Sequence, residues 1–296
     1  MPLVLSHVSF QAMGGPCDVH LWLDQSADSK DIISRLKNEV FRLEQKYSRF
    51  LSTSILSKIN RQELNGQPLD QETAGLFNYI EQCYELSSHM FDPTVGILQQ
   101  LWNFKIAQLP DQDLLNEAKR NIGWLKVGWD GTSVSIEDGI QIDLGGVVKE
   151  FAVDRLCNLL RENDISGLVN LAGDIAVSAP PPNAESWKIA IQHPRQSGAI
   201  AEIDIVVGGL AGSGDYERYI EVAGKRYCHI LRPDTGYPAE NGLCSVSVLA
   251  ENCLMAGTIS TIAMLKGDQG IAWLNEMELP YLAFDKNLTA FGTIGV

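Results

Sequence analysis

The chain lacks long hydrophobic runs, a positive net charge and any closely spaced pair of cysteines. None of its apolar segments reaches the roughly 18–20 residues that a helix needs to span a bilayer. Its net charge is −14, from 37 acidic and 23 basic residues, and no basic patch of the kind that binds nucleic acid or anionic lipid is visible. We therefore expect neither nucleic acid nor a membrane among its partners.

Cysteine spacing excludes a second group of functions. No two cysteines form a C-x-x-C pair, so neither a zinc site nor a disulfide framework is indicated. The six are Cys17, Cys83, Cys157, Cys228, Cys244 and Cys253. Free cysteine is among the most buried residue types, so we expect reduced and mostly buried thiols. The first residues carry no secretory signal pattern, which favours a cytoplasmic location.

The sequence does have interleaved helical and strand patterns, which predict an α+β class. Apolar residues at helical spacing, or apolar all round in the last case, predict helices at 29–50, 72–88, 148–163 and 252–265. Alternating or short apolar runs predict strands at 167–177, 188–192, 201–209 and 245–250. Turn residues break the pattern at 65–68 and 178–186, but neither break is a linker. We expect a single domain, 1–296.

The segment IDLGGVVKEFAVDR, residues 142–155, is the first candidate for a binding site. A predicted strand ends near Asp143, and a helix begins after Gly145 and Gly146. Paired glycines leave backbone N–H groups open to a ligand, and the start of a helix attracts phosphate. A plain tight turn explains the same two glycines. The segment is not a P-loop, because the G-x-x-x-x-G-K-[ST] spacing is absent.

A second candidate is His229, one of only five histidines, in the segment CHILRPDTGYP. The preceding residues predict a hairpin around Ala223-Gly224, which would act as a rigid arm that places the imidazole beside a loop. A structural histidine with satisfied hydrogen bonds is the alternative at this point.

Other polar and aromatic residues allow two interpretations each. Asp92 precedes Pro93 and predicts a turn or helix cap. Trp102 and Phe104 belong either to the core or to the wall of a site for a planar ligand. Polar residues within the apolar segment LVNLAGDIAV need partners, which structural hydrogen bonds or a ligand would supply.

In this order and spacing, the segments resemble the FAD:protein FMN transferase family, also called the ApbE family. The resemblance covers nearly the whole chain, in QAMGGPCDVHL, YSRFLSTSILSKIN, FDPTVGILQQLW, IDLGGVVKEFAVD, LVNLAGDIAV, WKIAIQHPR, SGDYERY with HILRPDTGYP, and AGTISTIAML. It implies a T-fold-related α+β architecture, in which helices pack on antiparallel or mixed sheets. It also implies an enzyme that binds FAD at a magnesium site, transfers FMN to a Thr or Ser hydroxyl of a target flavoprotein and releases AMP.

The resemblance also implies roles for individual residues. His229 would be the catalytic base that accepts the proton of the incoming hydroxyl. The metal would be held by the backbone carbonyl near Val148 and by Ser260 and Thr261. The implied FAD-binding residues are Met13, Phe50, Met90, Phe91, Asp92, Gly145, Phe151 and Ile230.

Departures from the family pattern concentrate at the metal site. Gly257 stands where the family has aspartate in A-D-x-x-x-T, and we hypothesise that Asp234 or Glu150 supplies the missing charge. Gly15 replaces the threonine of M-G-T, and Met90 replaces a small residue of the flavin-contacting turn. Without a metal the chain would be a non-catalytic FAD-binding protein. With water as acceptor it would be a magnesium-dependent FAD pyrophosphatase that yields FMN and AMP.

Overall fold

The computed structural model describes residues 2–24, 28–239 and 242–295. Its centre is an eight-stranded sheet in which every neighbouring pair of strands is antiparallel. In order across the sheet, the strands are β1 (Val4–Ala12), β2 (Gly15–Leu23), β5 (Gly167–Leu171), β6 (Asp174–Val177), β9 (Gly208–Gly214), β12 (Leu243–Ala250), β13 (Tyr281–Asp285) and β14 (Ala290–Gly292). Three separate pairs are β3 (Gly128–Trp129) with β4 (Val134–Ser135), β7 (Trp187–Gln192) with β8 (Ala199–Ile205), and β10 (Tyr219–Val222) with β11 (Lys225–Cys228).

The helices of the described residues come from both halves of the chain. They are α1 (Asp28–Tyr47), α2 (Ile55–Asn60), α3 (Gln71–Leu86), α4 (Leu98–Leu101), α5 (Gln112–Lys119), α6 (Val148–Glu162), α7 (Cys253–Lys266) and α8 (Gly270–Glu276). Of these, α1, α6 and α7 contact the large sheet. Short 3₁₀ helices occupy Pro93–Ile97, Trp124–Lys126 and Gly267–Gln269.

The large sheet buries both of its faces. Helices α6 and α7 cover one face, and the hairpin of β7 and β8 covers the other. Side chains alternate along a strand, so Val169 of β5 joins the core beneath the helices while its neighbour Leu168 packs beneath the hairpin. The α+β class and the antiparallel arrangement are confirmed.

All four predicted helices are present, with ends within a few residues of the predicted ones. Two predicted strands were wrong. The segment 167–177 is a hairpin, because Ala172 and Gly173 turn the chain with φ angles of 51° and 96°. The segment 201–209 spans the end of one strand and the start of the next, with the exposed Val206 and Val207 between them. In both cases apolar residues continue through the turn, so the hydrophobic pattern gives no sign of where the strand ends.

The start of helix α7 is anchored by side chains. Asp154 of α6 accepts hydrogen bonds of 2.8 Å from the backbone N–H groups of Cys253 and Leu254, and Asn252 accepts one of 2.8 Å from Met255. N–H groups in the first turn have no partner within a helix, so these bonds satisfy them. They also fix the position of α7 relative to α6.

The cysteines are as expected. All six are buried and none forms a disulfide. Burial raises the pKa of Cys83 and of Cys228 to about 11, so both thiols stay protonated at neutral pH.

In the parts of the chain that the structure describes, no helix combines the length and apolar character needed to cross a membrane.

Candidate active site

The residues before the double-glycine turn do not form the predicted strand. Asn60 takes the place of a neighbouring strand: its side-chain amide donates to the carbonyl of Ile142 and accepts from its N–H, both at 2.8 Å. The N–H of Asp143 donates to the carbonyl of Pro93 at 2.8 Å. Because a side chain and a loop satisfy this backbone, it stays extended without belonging to a sheet.

The double-glycine turn itself is held open toward solvent. The Asp143 carboxylate accepts a hydrogen bond of 2.9 Å from the N–H of Gly145 and forms a 2.5 Å ion pair with Arg49. Gly145 and Gly146 are exposed, and helix α6 begins directly after them. The Gly145 N–H is occupied by Asp143, so the turn offers an anion the exposed backbone of Gly146 and the positive start of the helix.

A cleft of about 400 Å³ lies beside this turn. Its lining includes Arg49, Phe50, Asn60, Gly96, Gln99 and Asp143. Phe50 is 83% exposed, which is unusual for so large an apolar ring, and the Arg49 guanidinium lies 4.9 Å from its centroid. The ring therefore offers a surface on which a planar group can stack.

Below the double-glycine turn lies the turn formed by Met90, Phe91 and Asp92. The buried Phe91 ring lies 3.3 Å from the position that a Cβ at Gly146 would occupy, so the two turns are in contact. Asp92 caps its turn as predicted: its carboxylate accepts from the N–H and hydroxyl of Thr94 and from the N–H of Trp124. Burial raises the pKa of Asp92 despite these bonds.

Two further residues of the implied FAD pocket are half-buried. Met13 lies in the turn between β1 and β2, where its N–H donates to Glu44 at 2.6 Å, and Phe151 lies in the first turns of α6. Both pack against the main core. Gly15, next to this turn, faces Ala172: a Cβ at Gly15 would lie only 2.6 Å from the Cβ of Ala172, so there is no room for a threonine.

The predicted hairpin around Ala223-Gly224 is present, and His229 follows directly after β11. The Nδ1 atom of His229 lies 3.3 Å from the carbonyl of Arg218, which assigns the ring proton to Nδ1 and the lone pair to Nε2. Burial and then the positive charge of Arg218 lower the pKa of His229 to about 4. Gln99 of the cleft donates to the His229 carbonyl at 3.2 Å, so the arm adjoins the cleft.

The loop after His229 contains Asp234, one of the two candidate substitutes for the missing acid. Its carboxylate forms a bidentate ion pair with Arg232, at 2.9 and 2.6 Å, which lowers the pKa of Asp234.

Trp102, which the sequence left between the core and a ligand site, is buried and donates a hydrogen bond of 2.9 Å to the carbonyl of Gly236. It therefore belongs to the core.

Ile230 lines a second cavity, of about 330 Å³, on the other side of the arm. Arg195 and Asp215 also line it and form a bidentate ion pair, at 2.6 and 2.9 Å. The sequence analysis did not single out this pair. Arg195 ends the segment WKIAIQHPR and Asp215 lies in SGDYERY, so both were contained in the segments that carry the family resemblance.

After the double-glycine turn, α6 carries a half-buried lysine and a buried glutamate. Lys149 lies 2.6 Å from the carboxylate of Asp174 in the β5–β6 hairpin, and although burial opposes it, this charge raises the pKa of Lys149. Burial and then the neighbouring charge of Asp174 raise the pKa of Glu150. Glu150 Oε2 is fully buried and has no hydrogen-bond partner in the described structure.

Gly257 of helix α7 lies against Glu150. A Cβ at Gly257 would be 2.6 Å from Cγ of Glu150 and 3.0 Å from its Oε1. Thr261 follows Gly257 by four residues and so lies one turn further along the same face of α7. The hydroxyl of Ser213 in β9 is 2.9 Å from both the Ser260 and the Thr261 hydroxyls, a contact that the sequence did not predict.

These groups form a set of oxygen donors: a buried carboxylate with one oxygen that lacks a hydrogen-bond partner in the described structure, neighbouring hydroxyls and the start of α6, where Val148 lies. Mg²⁺ prefers oxygen ligands and is held by one or two carboxylates. Among the described residues, no cluster of three or more His, Cys, Asp or Glu side chains could hold a metal. A cation here would therefore depend on a single buried carboxylate with neutral oxygens, and the orphaned Glu150 Oε2 fits that requirement.

A glycine turn at the start of a helix, an imidazole and a set of neighbouring oxygen donors suit an enzyme that acts at a phosphate group. The ApbE family model matches residues 13–283, and the chain belongs to the ApbE family. The FAD:protein FMN transferase of Chlamydia muridarum is 33% identical over 258 residues, which are 83% of this chain and 79% of that protein. The Vibrio cholerae protein of the same name is 28% identical over 297 residues, 96% of this chain and 89% of that one.

Solved structures agree over the whole fold. The ApbE protein from Thermotoga maritima has a TM-score of 0.89 at 29% identity and covers 98% of this chain and 97% of its own. The flavin transferase ApbE from Vibrio cholerae has a TM-score of 0.87 at 25% identity, with 99% and 98% covered. The predicted family and architecture are confirmed.

Proposed function

We propose that this chain is an FAD:protein FMN transferase, built as one domain over residues 1–296. It binds FAD, transfers FMN to a Thr or Ser hydroxyl of a target flavoprotein and releases AMP. The observation that carries this proposal is the match to relatives of that name over 83% and 96% of the chain.

The cleft and the two turns support the proposed mode of FAD binding. The exposed backbone of Gly145 and Gly146 and the start of α6 face the pyrophosphate, whose negative charge they stabilise. The ring of Phe50 stacks on a planar part of the nucleotide. The other residues proposed to bind FAD are Met13, Met90, Phe91, Asp92, Phe151 and, in the second cavity, Ile230.

The proposed reaction is attack of the acceptor oxygen on the phosphorus of the FMN half. A phosphoester bond forms to that oxygen, the bond from phosphorus to the oxygen of AMP breaks, and AMP leaves with the bonding electron pair. The hydroxyl proton goes to Nε2 of His229, which carries a lone pair because Nδ1 faces the Arg218 carbonyl. The Val148 carbonyl, Ser260 and Thr261 would hold Mg²⁺, which would neutralise charge on the pyrophosphate.

The lowered pKa of His229 predicts an unusual pH dependence. A base must be unprotonated to work, and His229 stays unprotonated at every pH well above about 4. We therefore expect kcat/KM for FAD to show no loss from histidine protonation between pH 8 and 6. Measured pH profiles of AMP release test this, with a pH titration of the His229 imidazole followed by NMR chemical shifts as control. An acid limb near 6.5 that disappears in His229→Gln would contradict it.

One assay separates the transferase from its alternatives. The purified chain is incubated with FAD and MgCl₂, with and without a candidate flavoprotein that offers a Thr or Ser acceptor, and AMP and covalent flavin are measured. We expect both products, in equal amounts, only when the acceptor is present. AMP with free FMN would indicate a pyrophosphatase, and bound intact FAD without AMP would indicate a binding protein.

A cytoplasmic location is part of the proposal. All six thiols are unpaired, which is typical of a reducing compartment. The net charge of −14 also disfavours nucleic acid and anionic membranes as partners, which leaves FAD and the target flavoprotein.

A further inference from the structure

We propose that Glu150 of helix α6 is the carboxylate that binds the metal in this chain, in place of an aspartate on helix α7. The inference rests on the proposed function, because it concerns the cation that assists attack on FAD. It turns the open choice between Asp234 and Glu150 into a single assignment.

The first support is steric. The side chain of Glu150 fills the space beside Gly257, since a Cβ there would lie 2.6 Å from Cγ of Glu150. An aspartate at 257 and a glutamate at 150 therefore exclude each other in this packing. A glycine at 257 is what allows the carboxylate to reach the same face of α7 from the opposite helix.

The second support is the fixed relation between the two helices. Asp154, one turn after Glu150 on α6, accepts the N–H groups of Cys253 and Leu254 at the start of α7. This contact holds Glu150 at the level of Gly257. Thr261 then lies one turn away on the face of α7 that Glu150 covers.

The third support is the burial of the carboxylate. Glu150 is only 8% exposed, yet its Oε2 has no hydrogen-bond partner in the described structure. The nearby ammonium of Lys149 is already paired with Asp174 at 2.6 Å. A buried carboxylate oxygen without a partner is costly unless the group is protonated or coordinates a metal, so Oε2 of Glu150 is available as a ligand.

Asp234 does not meet these conditions. Asp234 is exposed, and its carboxylate accepts from Nε and Nη2 of Arg232. Asp234 therefore serves as the matched control: it is the other acid that the sequence analysis offered as a substitute, and it already has a partner.

The test compares four proteins: wild type, Glu150→Gln, Asp234→Asn and the reciprocal double variant Glu150→Gly with Gly257→Asp. Glu150→Gln keeps the shape that packs on Gly257, and thermal unfolding checks that each variant folds. Binding of Mn²⁺ is measured by electron paramagnetic resonance and of Mg²⁺ by calorimetry. Each is done with the metal alone and with ADP as a pyrophosphate that cannot donate FMN.

We expect Glu150→Gln to weaken metal binding by about 100-fold or more, because even residues that only orient a ligand cost about 10–100-fold. Asp234→Asn should bind as wild type does, and the reciprocal variant should recover most of the lost affinity. Wild-type affinity in Glu150→Gln, or no metal binding by the wild type under either condition, would overturn the assignment.

Failure of this inference and failure of the proposed function are distinguishable. The metal measurements contain no FAD and no acceptor, so they report on Glu150 whether or not transfer occurs. A wild type that binds Mg²⁺ through Glu150 but yields neither AMP nor covalent flavin would refute the transferase while leaving the metal site intact. Flavin transfer with an unchanged metal affinity in Glu150→Gln would do the reverse.

Discussion

Replacing His229 with alanine is expected to lower kcat for AMP release by about 10²–10⁴-fold, the usual contribution of a general base. Binding of FAD should stay close to wild type. The backbone of His229 donates to the Arg218 carbonyl and accepts from Gln99, and an alanine keeps both contacts while losing that of Nδ1 with the same carbonyl. Rapid-quench measurement of AMP under single-turnover conditions, with flavin fluorescence for binding, checks the two halves of this expectation.

The matched control is His7→Ala. His7 lies on the exposed strand β1 and hydrogen-bonds to Asp18 at 2.8 Å, far along the chain from the arm. It should leave both FAD binding and AMP release unchanged. Added imidazole should partly restore AMP release to His229→Ala alone. If that variant kept wild-type turnover, or lost activity only by losing FAD affinity, His229 would be a structural residue and not the base.

Local patterns in the sequence were enough to predict the elements that carry the site. Helix α7 reads as apolar all round, and it is buried on all sides because β9 and β12 cover one side and α6 another. The arm was predictable because Ala223 and Gly224 take the left-handed conformation that a two-residue hairpin turn requires. Both signals come from neighbouring residues.

Contacts between distant segments were not predictable. The strand expected before Asp143 is absent because Asn60, from another part of the chain, satisfies that backbone. The sequence showed that acids had appeared at Glu150 and Asp234 but could not rank them, because the contact of Glu150 with Gly257 joins two helices far apart in the chain. The ion pair of Asp234 with Arg232 could have been predicted, because the two residues are only two positions apart in the sequence.

The second large effect is expected from Gly209→Ala in strand β9. A Cβ at Gly209 would overlap the backbone nitrogen of Cys253 and lie 2.5 Å from the carbonyl carbon of Asn252, both at the start of α7. Neither side can yield easily: Asp154 anchors α7, and β9 is paired with β6 and β12 on its two edges. We expect the free energy of unfolding to fall by about 3 kcal/mol or more, as overpacking against fixed backbone does.

Urea unfolding followed by circular dichroism measures this loss, and Gly75→Ala is its control. Gly75 is exposed within helix α3, and no atom lies within 4 Å of its Cβ position, so alanine there should stabilise the protein by about 0.5–1 kcal/mol. Because α7 also carries Thr261, any Gly209→Ala protein that folds should bind Mn²⁺ more weakly than the wild type. Wild-type stability in Gly209→Ala would mean that α7 does not dock on β9 at this distance, and the contact of Gly257 with Glu150 would lose its structural basis.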